Sequence, residues 1–342
     1  MDHFIKPVDE LSTLINEKAT DLFNKLSSLP IEALDLPDHV VTYLEKYHHG
    51  RQFFSVQTAA ELLYRSISMQ NKPVADLTVM DYGAGMGCLY MLAKMIGCKE
   101  VIYNDLLPDN TAASGIISRY LGIPVDLFVA SDHKGTLRML KDKNIDCDII
   151  LSRNVVEHIY DLDEFYGDMA KGQPGAMIFF STTANYQNPG MLWYHKKLHR
   201  DYEVRYKTKR EMIIKEKMKD ISDMDMEKLA TATRGLAVSD LDDAILRYRE
   251  NGTLPDPSVH YTNTCDPDNG IWAEHIIPVA DYRRIIESKG YRLSVKPAFW
   301  DTHYSSALKN LFAGTMNFVT RQLGDKLGLK TTAFIYIIAQ KK

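Results

Sequence analysis

The stretch Leu77-Thr-Val-Met-Asp-Tyr-Gly-Ala-Gly-Met-Gly87 decides how the rest of this chain is read. A short apolar, β-favouring run (Leu77, Val79, Met80) ends in an acid, Asp81. Three glycines, Gly83, Gly85 and Gly87, follow at alternate positions. Glycine reaches positive φ, and without a Cβ it lets a ligand come close to the backbone. The next residues, Cys88–Ile96, are apolar on most sides and read as a buried helix. Strand, glycine turn and helix in that order are the layout of a nucleotide site at the carboxyl end of a parallel sheet.

Outward from this turn the chain alternates. Strands are expected at 77–82, 99–104, 125–129, 147–152 and 175–181, with helices near 87–96, 109–121, 134–142 and 161–170. Such alternation predicts a parallel sheet covered on both faces. The pattern returns with a helix at 279–289, a strand at 291–297 and a last strand at 332–339. Ahead of the sheet, residues 8–28, 39–47 and 57–69 carry apolar side chains at helical spacing. Between the two halves of the sheet, 185–270 is rich in aromatics and charge, with helical signals near 209–229 and 239–250. The expected organisation is an N-terminal helical cap (1–75), a core (76–184 and 276–342) and a lid insertion (185–275). The amphipathic segment 307–329 is expected to pack against the sheet rather than a membrane.

The chain has 342 residues and a formal net charge of −4, so it lacks an overall basic field that would hold nucleic acid by its phosphates. Its four cysteines form no CxxC pair, which argues against a zinc ribbon or a disulfide framework. Met1–Glu17 is charged and does not read as a signal peptide. No uncharged stretch approaches the roughly 20 residues of a membrane span. A cytoplasmic location is the expectation.

The alternating glycines after Asp81 fit D-x-G-x-G-x-G better than the G-x-G-x-x-G of dinucleotide sites. This pattern resembles the first motif of class I S-adenosylmethionine-dependent methyltransferases. Val155-Val-Glu157-His158-Ile-Tyr-Asp161 resembles the V-x-E-H-x-x-D signature of their small-molecule members, such as quinone, natural-product and sugar methyltransferases. The resemblance covers 77–182 and the ending at 275–340. It implies an α/β, Rossmann-like sheet of seven strands, mainly parallel with an antiparallel last strand, and S-adenosyl-L-methionine as cofactor. Within it, Asp81 would hold the cofactor's ammonium group, Asp105 its ribose hydroxyls and Asp132 its adenine amino group. Leu106 would wall the adenine, and Asn154 would lie beside the methionine part. The bland alternatives are a turn-capping acid for Asp81 and a helix N-cap for Asp132.

Methyl transfer from a sulfonium is an in-line displacement in which the enzyme places the acceptor atom and removes its proton when needed. His158 and Glu157 are the candidate bases. Trp193, Tyr194, His199, Tyr261 and His275 are candidate acceptor contacts, with small cores of the lid's own as the alternative. Asp266, Asp268, Glu274 and His275 show no tight ligand spacing, and no metal is expected. Lys196–Lys219 holds ten Lys/Arg against four Asp/Glu, which suits an acidic acceptor or simply a solvated helix face. The expected function is transfer of a methyl group to an oxygen or nitrogen of a small molecule. The alternatives are RNA or protein methylation, or a non-catalytic cofactor-binding scaffold. The Asn/Asp-Pro-Pro-Tyr motif of base-methylating enzymes is absent, since the fourth strand runs into Ser152-Arg-Asn-Val155.

Overall fold

A computed structural model describes residues 3–255 and 264–342. Its helices are α1 Glu10–Ser27, α2 Asp38–Tyr43, α3 Gln52–Ile67, α4 Leu89–Met95, α5 Pro108–Tyr120, α6 His133–Asp142, α7 Leu162–Gly172, α8 Pro189–Lys217, α9 Asp223–Ala232, α10 Val238–Asn251, α11 Val279–Ser288 and α12 Ala307–Gly328. The strands are β1 Thr78–Tyr82, β2 Glu100–Asp105, β3 Leu127–Ala130, β4 Ile149–Arg153, β5 Met177–Thr182, β6 Tyr291–Pro297 and β7 Ile335–Lys341.

The seven strands form one sheet in the order β3-β2-β1-β4-β5-β7-β6. The first five are parallel, and β7 runs antiparallel to both of its neighbours, β5 and β6. Because β1 is flanked by β2 and β4, the order reverses direction at β1, and the loops there open a crevice at the strands' carboxyl ends.

Alternate side chains divide the sheet's two faces. Val79, Val101, Tyr103, Ile149, Leu151 and Phe179 bury on one face, together with Ile15 and Leu22 of α1 and Val56 and Leu62 of α3. The N-terminal helices therefore share the core of the sheet. Met80, Ile102, Ile150, Ile178, Phe180 and Ile337 bury on the other face, against α7 and α11. A separate small core holds the insertion together: Ile214 of α8, Leu229 of α9 and Leu241 and Ile245 of α10.

Two expectations are corrected. The single helix expected near 209–229 is two: α8 begins at Pro189 and runs 29 residues, and α9 starts anew at Asp223 with Ser222 as its cap. Pro at the first turn and the Asn188 side chain, which accepts from the Gly190 and Met191 N–H groups, set the early start. Second, α12 lies against β6 as expected, but Leu308, Leu311, Phe312 and Phe318 face solvent rather than the sheet. Its buried positions are small or polar (Ala313, Thr320, Gly328), flanked by the amides of Asn310 and Asn317, while Met316 and Val319 are half-buried.

Candidate functional site

The glycine turn is built by its own backbone. Gly83 and Gly85 have φ of +65° and +51°, where an L side chain is strained. A Cβ on Gly83 would in addition stand 2.7 Å from both methyls of Val155. The Gly87 N–H closes the turn on the Ala84 carbonyl at 2.8 Å, and α4 begins directly after. Asp81 is buried, and its Oδ2 accepts the Tyr90 N–H at 3.1 Å. Its carboxylate thus supports the first turn of α4 while facing the crevice. Burial pushes its pKa up to about 7, against the Tyr90 N–H and the positive charge of Arg153.

Asp105, at the end of β2, is held between that turn and α5. Its Oδ2 accepts the Gly85 N–H at 2.8 Å, and its Oδ1 accepts from Leu107 N–H at 2.9 Å and Asn110 Nδ2 at 3.1 Å. Leu106 beside it is exposed into the crevice. Asp132 caps α6 through the Gly135 N–H at 2.8 Å, which is its N-cap reading, and it also lines the crevice. Asn154 takes a left-handed backbone with φ of +55°. Its N–H donates to the Ser181 carbonyl at 2.8 Å and its Oδ1 accepts the Thr183 N–H at 3.1 Å, which locks the ends of β4 and β5 together.

These groups line one cavity of about 810 Å³. Its wall continues over His39, Tyr43, Ser55 and Ala59 from the N-terminal helices, and over His158, Tyr160 and the 269–272 loop. Arg153 spans the wall: its Nη1 donates to Ser55 Oγ and Thr58 Oγ1, both at 2.8 Å, which fixes α3 to the end of β4. A second depression of about 730 Å³ lies between α6 and α7, away from the strand ends, and holds none of the candidate residues.

His158 stands in the cavity wall with its ring edge-on to Trp272, centroids 4.5 Å apart. Behind it is a carboxylate the sequence reading did not assign to it. Glu274 Oε1 lies 2.9 Å from His158 Nδ1, and Glu274 Oε2 accepts from His199 Nε2 at 2.8 Å. Burial opposes the charged forms of both partners of the first pair, and their attraction overrides it. Glu274 is brought down to about 2, and His158 is raised above its ordinary value by Glu274 and Glu157. Trp272 and Glu274 both have positive φ, near +60° and +56°. Non-glycine residues hold that conformation only where the surroundings impose it.

His195 extends the chain of contacts. Its Nε2 donates to the Thr183 carbonyl at 2.8 Å. A carbonyl only accepts, so this nitrogen carries the proton. Burial and the nearby His199 lower its pKa. His195, His199 and Glu274 come within 4.8 Å of one another, the only such trio of possible metal ligands among the described residues. Within the trio, His199 and Glu274 are joined by a hydrogen bond of 2.8 Å, while His195 is held by the Thr183 carbonyl. The turn aspartates weighed for a metal, Asp266 and Asp268, hold Lys209 instead.

The other candidates separate. Glu157 is buried outside the cavity lining, so it does not meet an acceptor there. Its carbonyl accepts the His275 N–H. His275 is buried as well; its Nε2 donates to the Ile159 carbonyl at 2.6 Å, and burial brings its pKa down to about 4. It braces the turn that carries His158. His199 is buried as the far partner of Glu274. Trp193, 65% exposed, and Tyr194 lie on the outer side of α8, off the cavity. Tyr261 lies outside the described residues. Four of the ten cations of 196–219 pair with acids of the lid. Lys207 pairs with Glu227, Lys209 with Asp266, Arg210 with Glu203 and Lys217 with Asp242.

Comparison with known proteins bears on this geometry. No family model matches the chain. It is 30% identical to a ribosomal protein L11 methyltransferase of Hydrogenovibrio crunogenus over 29% of this chain and 40% of that protein. It is 32% identical to a ubiquinone biosynthesis O-methyltransferase of Bartonella bacilliformis over 32% of this chain and 42% of that one. The chain thus spans about two fifths of the length of the curated relatives it matches. Among solved structures, a SAM-dependent methyltransferase from Archaeoglobus fulgidus aligns over 89% of this chain and 100% of its own, at 16% identity and a TM-score of 0.41. Over about a third of its length the chain is similar to curated methyltransferases, and its seven-stranded sheet with β7 antiparallel to its neighbours is the sheet that the resemblance to class I S-adenosylmethionine-dependent methyltransferases implies.

Proposed function

We propose that this protein transfers a methyl group from S-adenosyl-L-methionine to an oxygen or nitrogen of a small molecule. One observation carries the reading: a single cavity is lined both by the glycine turn with Asp81 and Asp105 and by His158 backed by Glu274. The cofactor fits the residues present. Gly85 leaves open space on its crevice side, since a Cβ there would meet only Asp105 Oδ2, at 3.9 Å. Asp81 has accepted one N–H and keeps lone pairs for an ammonium group. Asp105 is aimed by three donors and keeps lone pairs for ribose hydroxyls.

The cofactor supplies the electrophilic methyl. The chain supplies placement and a proton acceptor. His158 Nδ1 faces Glu274, which leaves Nε2 to take a proton from the acceptor. Glu274 holds the ring and stabilises the imidazolium that forms, the arrangement of a base oriented by a buried carboxylate. His39 and Tyr43 from the N-terminal side and Trp272 from the end of the insertion bound the space for the acceptor and restrict its water.

The similarity to an L11 methyltransferase supports a second reading, in which the acceptor is a side chain of a protein. Two measurements test both. Calorimetric titration with S-adenosylhomocysteine should show one site per chain; its absence removes the cofactor assignment. Incubation with methyl-labelled cofactor and cell extract should put label into the small-molecule fraction. Label in the protein fraction alone selects the second reading, and label nowhere marks a cofactor-binding scaffold.

A further inference from the structure

The helix α12 is turned the wrong way round for a helix that serves a core. Its buried side is small and polar: Ala313 and Thr320 are buried, and Asn310 and Asn317 each clasp a backbone of the 300–304 segment. Asn317 accepts the Trp300 N–H at 2.6 Å and donates to its carbonyl at 2.9 Å; Asn310 does the same for Tyr304, at 2.8 Å each way. The opposite side is apolar and lies in solvent. Leu308 is 77% exposed, Leu311 69%, Phe312 56% and Phe318 56%. Their numbers follow the i, i+3, i+4 spacing of a single helical stripe. Single exposed apolar residues need no explanation, whereas a contiguous stripe does.

Charge says what covers it. From Ala307 to Gly324 there is no Asp or Glu, while Lys309 and Arg321 flank the stripe and Lys326 and Lys330 follow. Asp325, the acid of this region, is paired with Lys296. The whole chain is acidic, at −4, so positive charge has been segregated beside the apolar surface. Self-association fits poorly. A two-fold axis through the middle of the stripe would set Lys309 against Arg321 of the other copy, with no acid between them. A membrane span is excluded for the described helices, none of which is long and apolar enough. A helix lying flat in an interface needs only a stripe with cations along its edges.

We propose that α12 docks this protein on an anionic bilayer, with Leu308, Leu311, Phe312 and Phe318 at the acyl boundary and Lys309 and Arg321 at the level of the phosphates. Lys309 Nζ lies 5.8 Å from the centre of the Tyr304 ring beside the stripe, and long cationic side chains can keep their heads at the lipid headgroups while their stems run along apolar surface. This inference is independent of the proposed reaction.

Flotation of the full chain with phosphatidylcholine vesicles, with and without phosphatidylglycerol, tests it. Binding should be roughly tenfold or more stronger on the anionic vesicles and should weaken with salt. Leu311→Ser, Phe312→Ser and Phe318→Ser together should abolish flotation. The thermal melt should change little, because among the described residues only Phe312 of these three side chains meets the protein by a ring contact, edge-on to Trp300. Lys309→Glu with Arg321→Glu should remove the preference for anionic lipid. Failure of the wild type to float overturns the proposal, as does equal flotation of the wild type and the serine variant. A wild-type dimer in light scattering that the serine variant converts to monomer, without vesicle binding, assigns the stripe to a second copy and overturns it as well.

Discussion

Two parts of the same cavity wall are built in different ways. On the glycine side, backbone N–H groups do the positioning: Tyr90 for Asp81, Gly85 and Leu107 for Asp105, Gly135 for Asp132. On the histidine side, side chains position one another: Glu274 between His158 and His199, with His195 held by Thr183. Backbone positioning tolerates many surroundings, because it is generated by the turn itself. A chain of side chains depends on three separate segments, β4's exit, α8 and the 272–275 stretch, arriving together. The glycine side is therefore the portable part of the site and the histidine side the particular one.

The largest effect expected from this contrast is on turnover. His158→Ala should lower kcat by about 10²–10⁴-fold, the range for loss of a positioned base, and leave the dissociation constant for S-adenosylhomocysteine unchanged. Steady-state kinetics beside calorimetry read the two halves independently. A parallel loss of cofactor affinity would show that the two sides are not separable.

Asp105→Ala should do the reverse. Removing a buried carboxylate that organises Gly85, Leu107 and Asn110 should weaken S-adenosylhomocysteine by roughly 1.5–3 kcal/mol, about 10- to 150-fold. The loss should be read in calorimetry at constant pH. An unchanged affinity would remove Asp105 from the ribose.

The same contrast explains what could be read from the sequence. Asp81, the three glycines and Asp105 were legible because strand, turn and helix impose their residue types locally, and short-range spacing carries that information. The cap role of Asp132 was legible for the same reason. Glu274 was visible as an acid, but nothing local ties it to His158, because only the folded chain brings the two segments together. Trp193 and Tyr194 illustrate a different limit. In α8 the apolar and aromatic residues have no single stripe, so the spacing does not say which side meets the cavity. In α12 the stripe is clear, but periodicity is silent on which side the protein takes. The side-chain amides of Asn310 and Asn317 decided that, by bonding to backbone that the sheet had already placed.

A smaller effect concerns acid. Asp81 lies near pKa 7 in the ligand-free protein because burial disfavours its charge. Below that pH it is neutral and no longer attracts an ammonium group, so cofactor affinity should fall as pH drops through 7, approaching roughly tenfold per pH unit. Asp81→Asn should bind weakly and without this dependence. A wild-type affinity that is flat from pH 8 to about 5.5, a window chosen to bracket that value, would place the ammonium elsewhere.

The last test addresses the histidine side alone. His158 accepts a proton only in its neutral form, so kcat/KM should rise with pH through its pKa. That pKa lies above the ordinary imidazole value because Glu274 and Glu157 favour the charged ring more than burial disfavours it. Glu274→Gln keeps the shape and removes the negative charge beside Nδ1. Burial then opposes the imidazolium with less to offset it, and the acid limb of the profile should move to lower pH. A merely structural Glu274 would lower the whole profile without moving the limb. Movement of the limb in the stated direction, with cofactor affinity preserved, requires that the carboxylate act through His158.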